Sequence, residues 1–239
     1  MKPVGVRAVG IKKMEDDWSH IDYVDKGTGK FYRIYKFKNK PCKSVYLKSR
    51  FSEHLAGYAL IEKDIRSALI WLRKIKDLVG DLDEKKDGAF KVARDREIYS
   101  IVKGLFVASL TFYGKGFSKC DGRPVKLERI QLDEKFTEIH DIAMSYRHNF
   151  AAHSGAKRLE FASVALVIPA KVKYGKDLPM NLYTEINQPD LLWHGNGGEV
   201  GFIQLFEHVQ AVVKGKIKWL TEKIYNEEVL PKGSAHFFK

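Results

Sequence analysis

Residues 146–155 read Tyr146-Arg147-His148-Asn149-Phe150-Ala151-Ala152-His153-Ser154-Gly155 and gather a permanent cation, an amide and imidazoles near an apparent helix end. Arginine holds a phosphate through its planar fork of donors, and histidine is the side chain whose proton exchanges most readily near neutral pH. The combination suits cleavage of an RNA phosphodiester without a metal. Spacing alone decides little, because eleven arginines and eight histidines in 239 residues give an arginine and histidine so placed roughly once by chance. The surrounding elements must decide.

Phe136, Ile139, Ala143, Tyr146 and Phe150 recur at alternating intervals of three and four, which is one apolar stripe of a helix. Asp133 suits its N-cap, and Gly155 suits the position just past its end. At about 100° per residue His153 continues that stripe, Asn149 lies nearly on the same side, and Arg147 points about 120° away. On one straight helix Arg147 and His153 therefore do not grip the same phosphate. A working site needs an unwound helix end, or a second copy of the helix facing the first. The same geometry accommodates His153 as a core or interface histidine and Arg147 as a solvated flank, so both readings stay open.

The run from Arg147 to Ser154 resembles the R-x(4 to 6)-H signature of the HEPN superfamily, where a polar residue commonly follows the arginine and Ala-His-Ser is a frequent ending. Ile98 to Phe117 is similar to the strongly apolar partner helix of those domains, and the resemblance covers roughly residues 93–156. It implies a mainly α fold, an antiparallel helical bundle, acting as a dimeric ribonuclease. Such enzymes use the arginine and histidine in a composite cleft, need no cofactor, and leave a 2′,3′-cyclic phosphate. Carried onto this chain, Arg147 holds the scissile phosphate and His153 exchanges a proton with the 2′-hydroxyl or the leaving oxygen. Asn149 orients substrate or His153, and His148 occupies the polar position beside the arginine. The resemblance further implies a toxin or phage-defence role, with RNA, a second copy and a protein or antitoxin inhibitor as partners. Other members of the superfamily have lost catalysis and only bind RNA or a protein, which is the alternative for this chain.

Composition limits the choice. A formal net charge of +12 attracts polyanions, nucleic acid foremost. Residues 1–50 hold thirteen Lys or Arg against five Asp or Glu, so the excess sits at the front. Cys42 and Cys120 are far apart in sequence, which indicates neither a disulfide framework nor a zinc knuckle. With no apolar signal core at the start and no run approaching the length of a membrane span, the expected location is cytoplasmic.

Two regions follow from patterning: a basic, strand-rich and turn-rich segment over 1–50, and a helical domain over 51–239 carrying a β-hairpin at about 160–187. In the first, Val4, Val6 and Ala8 alternate, Gly27-Thr28-Gly29 marks a turn, and Phe31 to Lys38 interleaves aromatic and basic side chains. Rings beside cations suit single-stranded RNA, which makes Lys36, Lys38 and Lys40 candidate contacts.

In the second, Ser49 or Ser52 caps a helix with its apolar line through Leu55, Tyr58, Ile61, Ile65, Leu69, Leu72 and Ile75, ending by Gly80. A solvated connection over 81–92 leads to a buried helix over about 93–117, which Gly114 and Gly116 help to end. The loop that follows holds Lys119, Arg123, Lys126 and Arg129 and offers an RNA track towards Arg147. His140 shares a face with Arg147 and is an auxiliary phosphate contact. Residues 161–168 are short, β-branched and closed by Pro169, residues 180–186 alternate, and the two pair as a hairpin; Phe202 to Ile224 traces a last helix up to Pro231. No His-x-x-x-His or His-Glu-x-x-His spacing marks a metal site. Gly195-Asn196-Gly197-Gly198 reads as a turn, lacking the lysine and spacing of a P-loop.

Overall fold

Short turns with left-handed backbone set the first fifty residues. The computed structural model describes residues 5–14, 16–79, 95–152, 161–169, 180–187 and 200–238. The chain divides into two units, one made of residues 1–49 with 232–239 and the other of residues 50–231. The second unit dominates, and the protein is mainly helical.

In the first unit β1 (Val6–Lys13), β2 (Trp18–Asp25), β3 (Phe31–Phe37) and β4 (Lys40–Pro41) form an antiparallel sheet in sequence order. The turn between β2 and β3 is tied by Asp25, whose Oδ1 accepts from Gly27 N at 3.0 Å and Thr28 N at 2.7 Å. Gly29 follows at φ +67°, a left-handed conformation that glycine adopts without strain. Between β3 and β4 only Lys38 and Asn39 intervene, at φ +46° and +62°. That pair of positive φ values is the two-residue hairpin turn whose twist matches its strands. A bulge between Ala8 and Gly10 interrupts the pairing of β1 with β2. The last helix, α5 (Gly233–Phe238), belongs to this unit, whereas the sequence groups it with the helical domain.

In the second unit α1 (Arg50–Val79) packs along α2 (Arg96–Phe117) and α4 (Phe202–Ile224), as its apolar line predicts. Ile61, Ile65, Leu69, Leu72 and Ile75 are all buried there, against Phe106, Leu110, Leu205 and Val209 among others. Ser109 Oγ in α2 donates to the Ala68 carbonyl at 3.2 Å, and the buried Asp64 carboxylate meets Lys115 Nζ at 3.0 Å, so two polar links bind α1 to α2. The predicted connection over 81–92 lies outside the described residues. Asp95 caps α2, its Oδ1 accepting from Glu97 N at 3.0 Å and Ile98 N at 3.1 Å.

The motif helix departs from the expected single run. A 3-10 turn over Glu134–Phe136 leads into α3 (Thr137–Tyr146), and residues Arg147–Ala152 are wound as a π-helix. Asp133 stands at the start but makes no side-chain cap; its backbone N–H donates to His208 Nε2 at 3.2 Å. Helix α4 likewise ends at Ile224 and passes into a π turn, Tyr225–Val229, before Pro231. The hairpin is present, with β5 (Phe161–Val167) paired to β6 (Asn181–Asn187). One of its faces carries Val164, Leu166, Leu182 and Ile186, all exposed.

Candidate active site

Aromatic packing anchors the end of α3. Tyr146 and Phe150 both pack on Phe106 of α2, with ring centroids 6.3 and 6.4 Å away, and Lys103 Nζ lies 5.4 Å from the Phe150 centroid. These contacts hold the π turn against the core. A π turn bonds residue i to i+5 instead of i+4, and single π turns inside helices concentrate at functional sites. Its effect here is local: from Arg147 onward, side chains no longer keep the α-helical phase of the Phe136-to-Tyr146 stripe.

Arg147 is half-buried along its stem, which lies across Gly114 of α2. A Cβ built at residue 114 would stand 2.6 Å from Arg147 Cδ and 2.8 Å from Nε. The arginine stem takes this path because residue 114 has no side chain. The helix ends at Phe117, just past both glycines; Gly114 is in addition a site of close approach, whereas a Cβ at Gly116 would make only ordinary contacts, 3.5 Å from Ile61 and 3.6 Å from Leu127.

Beyond Gly114 the guanidinium meets the exposed imidazole of His148, with Nη1 at 3.3 Å from Nδ1 and 3.4 Å from Nε2. Nη1 is thus shared between the two ring nitrogens of its neighbour. Asn149 is turned back on its own helix, where Nδ2 donates to the Ser145 carbonyl at 3.0 Å and lies 3.3 Å from Ser145 Oγ. Among the described residues no carboxylate pairs with Arg147. His153 lies outside the described residues. Arg147, His148 and Asn149 are consecutive in the π turn, where Arg147 and His148 touch and Asn149 bonds to Ser145.

Two of the candidate RNA contacts are placed elsewhere. His140 is only 5% exposed, and its Nδ1 lies 2.7 Å from the hydroxyl of Tyr113. Burial depresses the basicity of His140, opposed by Asp141 and aided by Arg129, and burial also raises the Tyr113 hydroxyl above its ordinary range. We assign the hydroxyl as donor and Nδ1 of the neutral ring as acceptor, since a buried phenol that keeps its proton must place it somewhere. Arg123, 8% exposed, turns inward: Nε donates to the Val125 carbonyl at 3.0 Å and Nη2 to the Ser118 carbonyl at 3.1 Å and to that of Lys115. It closes the C-terminal end of α2, where helix carbonyls lack partners.

In the first unit the three candidate lysines do not form one patch. Lys36 pairs with Ser19 and Pro41 across the sheet, whereas Lys40 pairs with Phe37 and so shares the opposite face, that of Trp18. Lys38 sits in the turn between them, 4.0 Å from Asp17 and over the Phe37 ring.

Among the described residues no three His, Cys, Asp or Glu side chains converge as metal ligands would. No described helix is long and apolar enough to cross a membrane. Compared with known proteins, the chain matches no family model, no curated protein and no solved structure.

Proposed function

We propose that this chain is a HEPN-type endoribonuclease of the toxin or phage-defence kind, working in the cytoplasm as a homodimer whose helical domain is an antiparallel HEPN bundle. The supporting observation is Arg147: its stem is laid in the gap at Gly114, its guanidinium emerges beside exposed His148, and no described carboxylate neutralises it. A cation held so, at a helix end wound as a π turn, is placed to receive an anion from solvent.

In the proposed reaction the RNA 2′-oxygen bonds to the adjacent phosphorus as the bond to the 5′-oxygen breaks. The products are a 2′,3′-cyclic phosphate and a 5′-hydroxyl. Arg147 donates to the non-bridging oxygens, where negative charge rises in the transition state. His153 takes the proton of the 2′-hydroxyl or supplies one to the leaving oxygen. His148 adds a donor beside Arg147, and Asn149, with Nδ2 held by Ser145, orients through Oδ1. A second copy supplies the facing arginine and histidine, and a protein inhibitor would restrain the activity.

A second reading, a module that binds RNA without cutting it, is favoured by the charge of the first unit. Residues 1–49 and 232–239 hold fourteen Lys or Arg against five Asp or Glu, nine of the chain's twelve net positive charges.

Incubating the purified chain with RNA in chelator separates the two. The enzyme reading expects Arg147→Ala and His153→Ala each to abolish cleavage while melting temperature and RNA affinity stay as in the wild type. Salt-dependent RNA binding with no cleavage by the wild type would replace it with the binding reading.

A further inference from the structure

The exposed rings of the first unit collect on one face of its sheet. Directly paired residues of antiparallel strands present their side chains to the same side. The pairs Trp18↔Phe37, Asp22↔Arg33 and Val24↔Phe31 therefore share a face, and Lys12, paired with His20, and Lys40, paired with Phe37, join it. The chain after β4 is tied to β3 by Cys42 N donating to the Tyr35 carbonyl at 2.8 Å. From there residues 42–46 border a cleft of about 830 Å³ on that face, lined by Trp18, Phe31 and Arg33 on the sheet side and by Lys43 and Tyr46 on the other.

The rings are wet. Phe31 is 74% exposed, Tyr46 82% and Trp18 42%. Exposed rings grouped in a concave site rimmed by polar groups mark a place of binding, whereas single exposed apolar side chains are ordinary. Arg33 contributes a flat surface. Its Nε lies 2.6 Å from Asp22 Oδ1 and its Nη2 3.2 Å from Oδ2, so the guanidinium plane is fixed and the Asp22 carboxylate is neutralised.

We propose that this cleft binds single-stranded RNA, with bases stacked on Phe31, Tyr46 and Trp18 and phosphates met by Lys12, Lys40 and Lys43. Unpaired bases present bare faces to aromatic side chains and to guanidinium planes, and a basic surround tracks the backbone. The ninefold net positive charge of this unit complements a polyanion and not an apolar protein surface. Duplex RNA, with its bases stacked on each other, does not reach the rings. The proposal rests on the reading that this protein acts on RNA and assigns the recognition of its strand to the sheet unit.

The test is fluorescence anisotropy of the full chain with a labelled single-stranded RNA carrying 2′-O-methyl groups, which is bound but cannot be cut by 2′-attack. Phe31→Ala and Tyr46→Ala should each weaken binding on the order of tenfold. Both rings are largely in water, so melting temperature should not move. Phe31→Tyr should bind as the wild type does, and the duplex form of the same RNA should bind more weakly. Lys40→Ala should weaken binding more than Lys13→Ala, which removes the same charge from the opposite face. Wild-type affinity in both ring variants, equal losses from the two lysines, or no affinity in the wild type would each overturn the proposal. Cleavage persisting with ring-independent binding would overturn it alone, and ring-dependent binding without cleavage would overturn only the catalytic reading.

Discussion

The side chain of Arg147 crosses Gly114 so closely that a methyl group there would sit 2.6 Å from Cδ. Glycine inside a helix costs roughly 1 kcal/mol relative to alanine, and at this position the arginine explains it. Gly114→Ala leaves the flexible arginine stem, not backbone, to give way. We therefore expect an unchanged or slightly raised melting temperature, unchanged RNA affinity, and cleavage reduced by roughly a hundredfold, the scale on which a misplaced group of about 1 Å acts. Full activity in Gly114→Ala would show that the seat of Arg147 has no part in catalysis.

Arg123 should behave as a structural residue. Its guanidinium holds the carbonyls of Lys115, Ser118 and Val125 at the end of α2. Hydrogen bonds to a charged group contribute about 1.5–3 kcal/mol each, and Arg123→Ala should cost roughly 3 kcal/mol, a fall of about 6–12 °C in Tm for a domain of this size. Lysine lacks the fork and should not rescue it. Thermal melts check this; a variant with native Tm and weakened RNA binding would return Arg123 to the RNA surface.

Two windows of acid sensitivity should separate. Burial holds the folded basicity of His140 below the ordinary 6.5, so protons favour the unfolded chain. Its contribution is complete above pH 6.5 and declines as pH falls below that value. Arg129 holds Asp141 below its ordinary 3.8, through a hydrogen bond foremost, and that contribution disappears only as pH falls through the lower value. Denaturant midpoints between pH 7 and 4.5 should thus fall more steeply for the wild type than for His140→Gln. Parallel profiles would mean that the folded imidazole takes up protons as freely as the unfolded one.

Much of the fold is written in periodicity. The line from Leu55 to Ile75 marks α1, and a short β-branched run before Pro169 followed by the alternation over 180–186 marks a hairpin. The π turn at Arg147 is different. Nothing in residue type distinguishes i+5 from i+4 bonding, and the switch depends on how Tyr146 and Phe150 fit against Phe106.

The candidate site was legible in its residue types and less so in its neighbours. No pattern in the sequence places the Arg147 stem over Gly114, and His140 lies on the predicted helix face but turns to Tyr113. Lys36, Lys38 and Lys40, two apart, would line one face of a continuous strand. The left-handed pair Lys38 and Asn39 reverses the chain, so Lys36 and Lys40 finish on opposite faces. Trp18, Phe31 and Tyr46 come together only through strand register and the path of residues 42–46.

The central claim is attack by a 2′-hydroxyl, and the most direct measurement is end-group analysis of RNA incubated with the purified chain in chelator, beside the same RNA with a single 2′-deoxy nucleotide at the cut position. The expected outcome is 2′,3′-cyclic phosphate and 5′-hydroxyl ends from the first and no cut at that position in the second. Cleavage at the deoxy position, or fragments bearing 5′-phosphate, would contradict it.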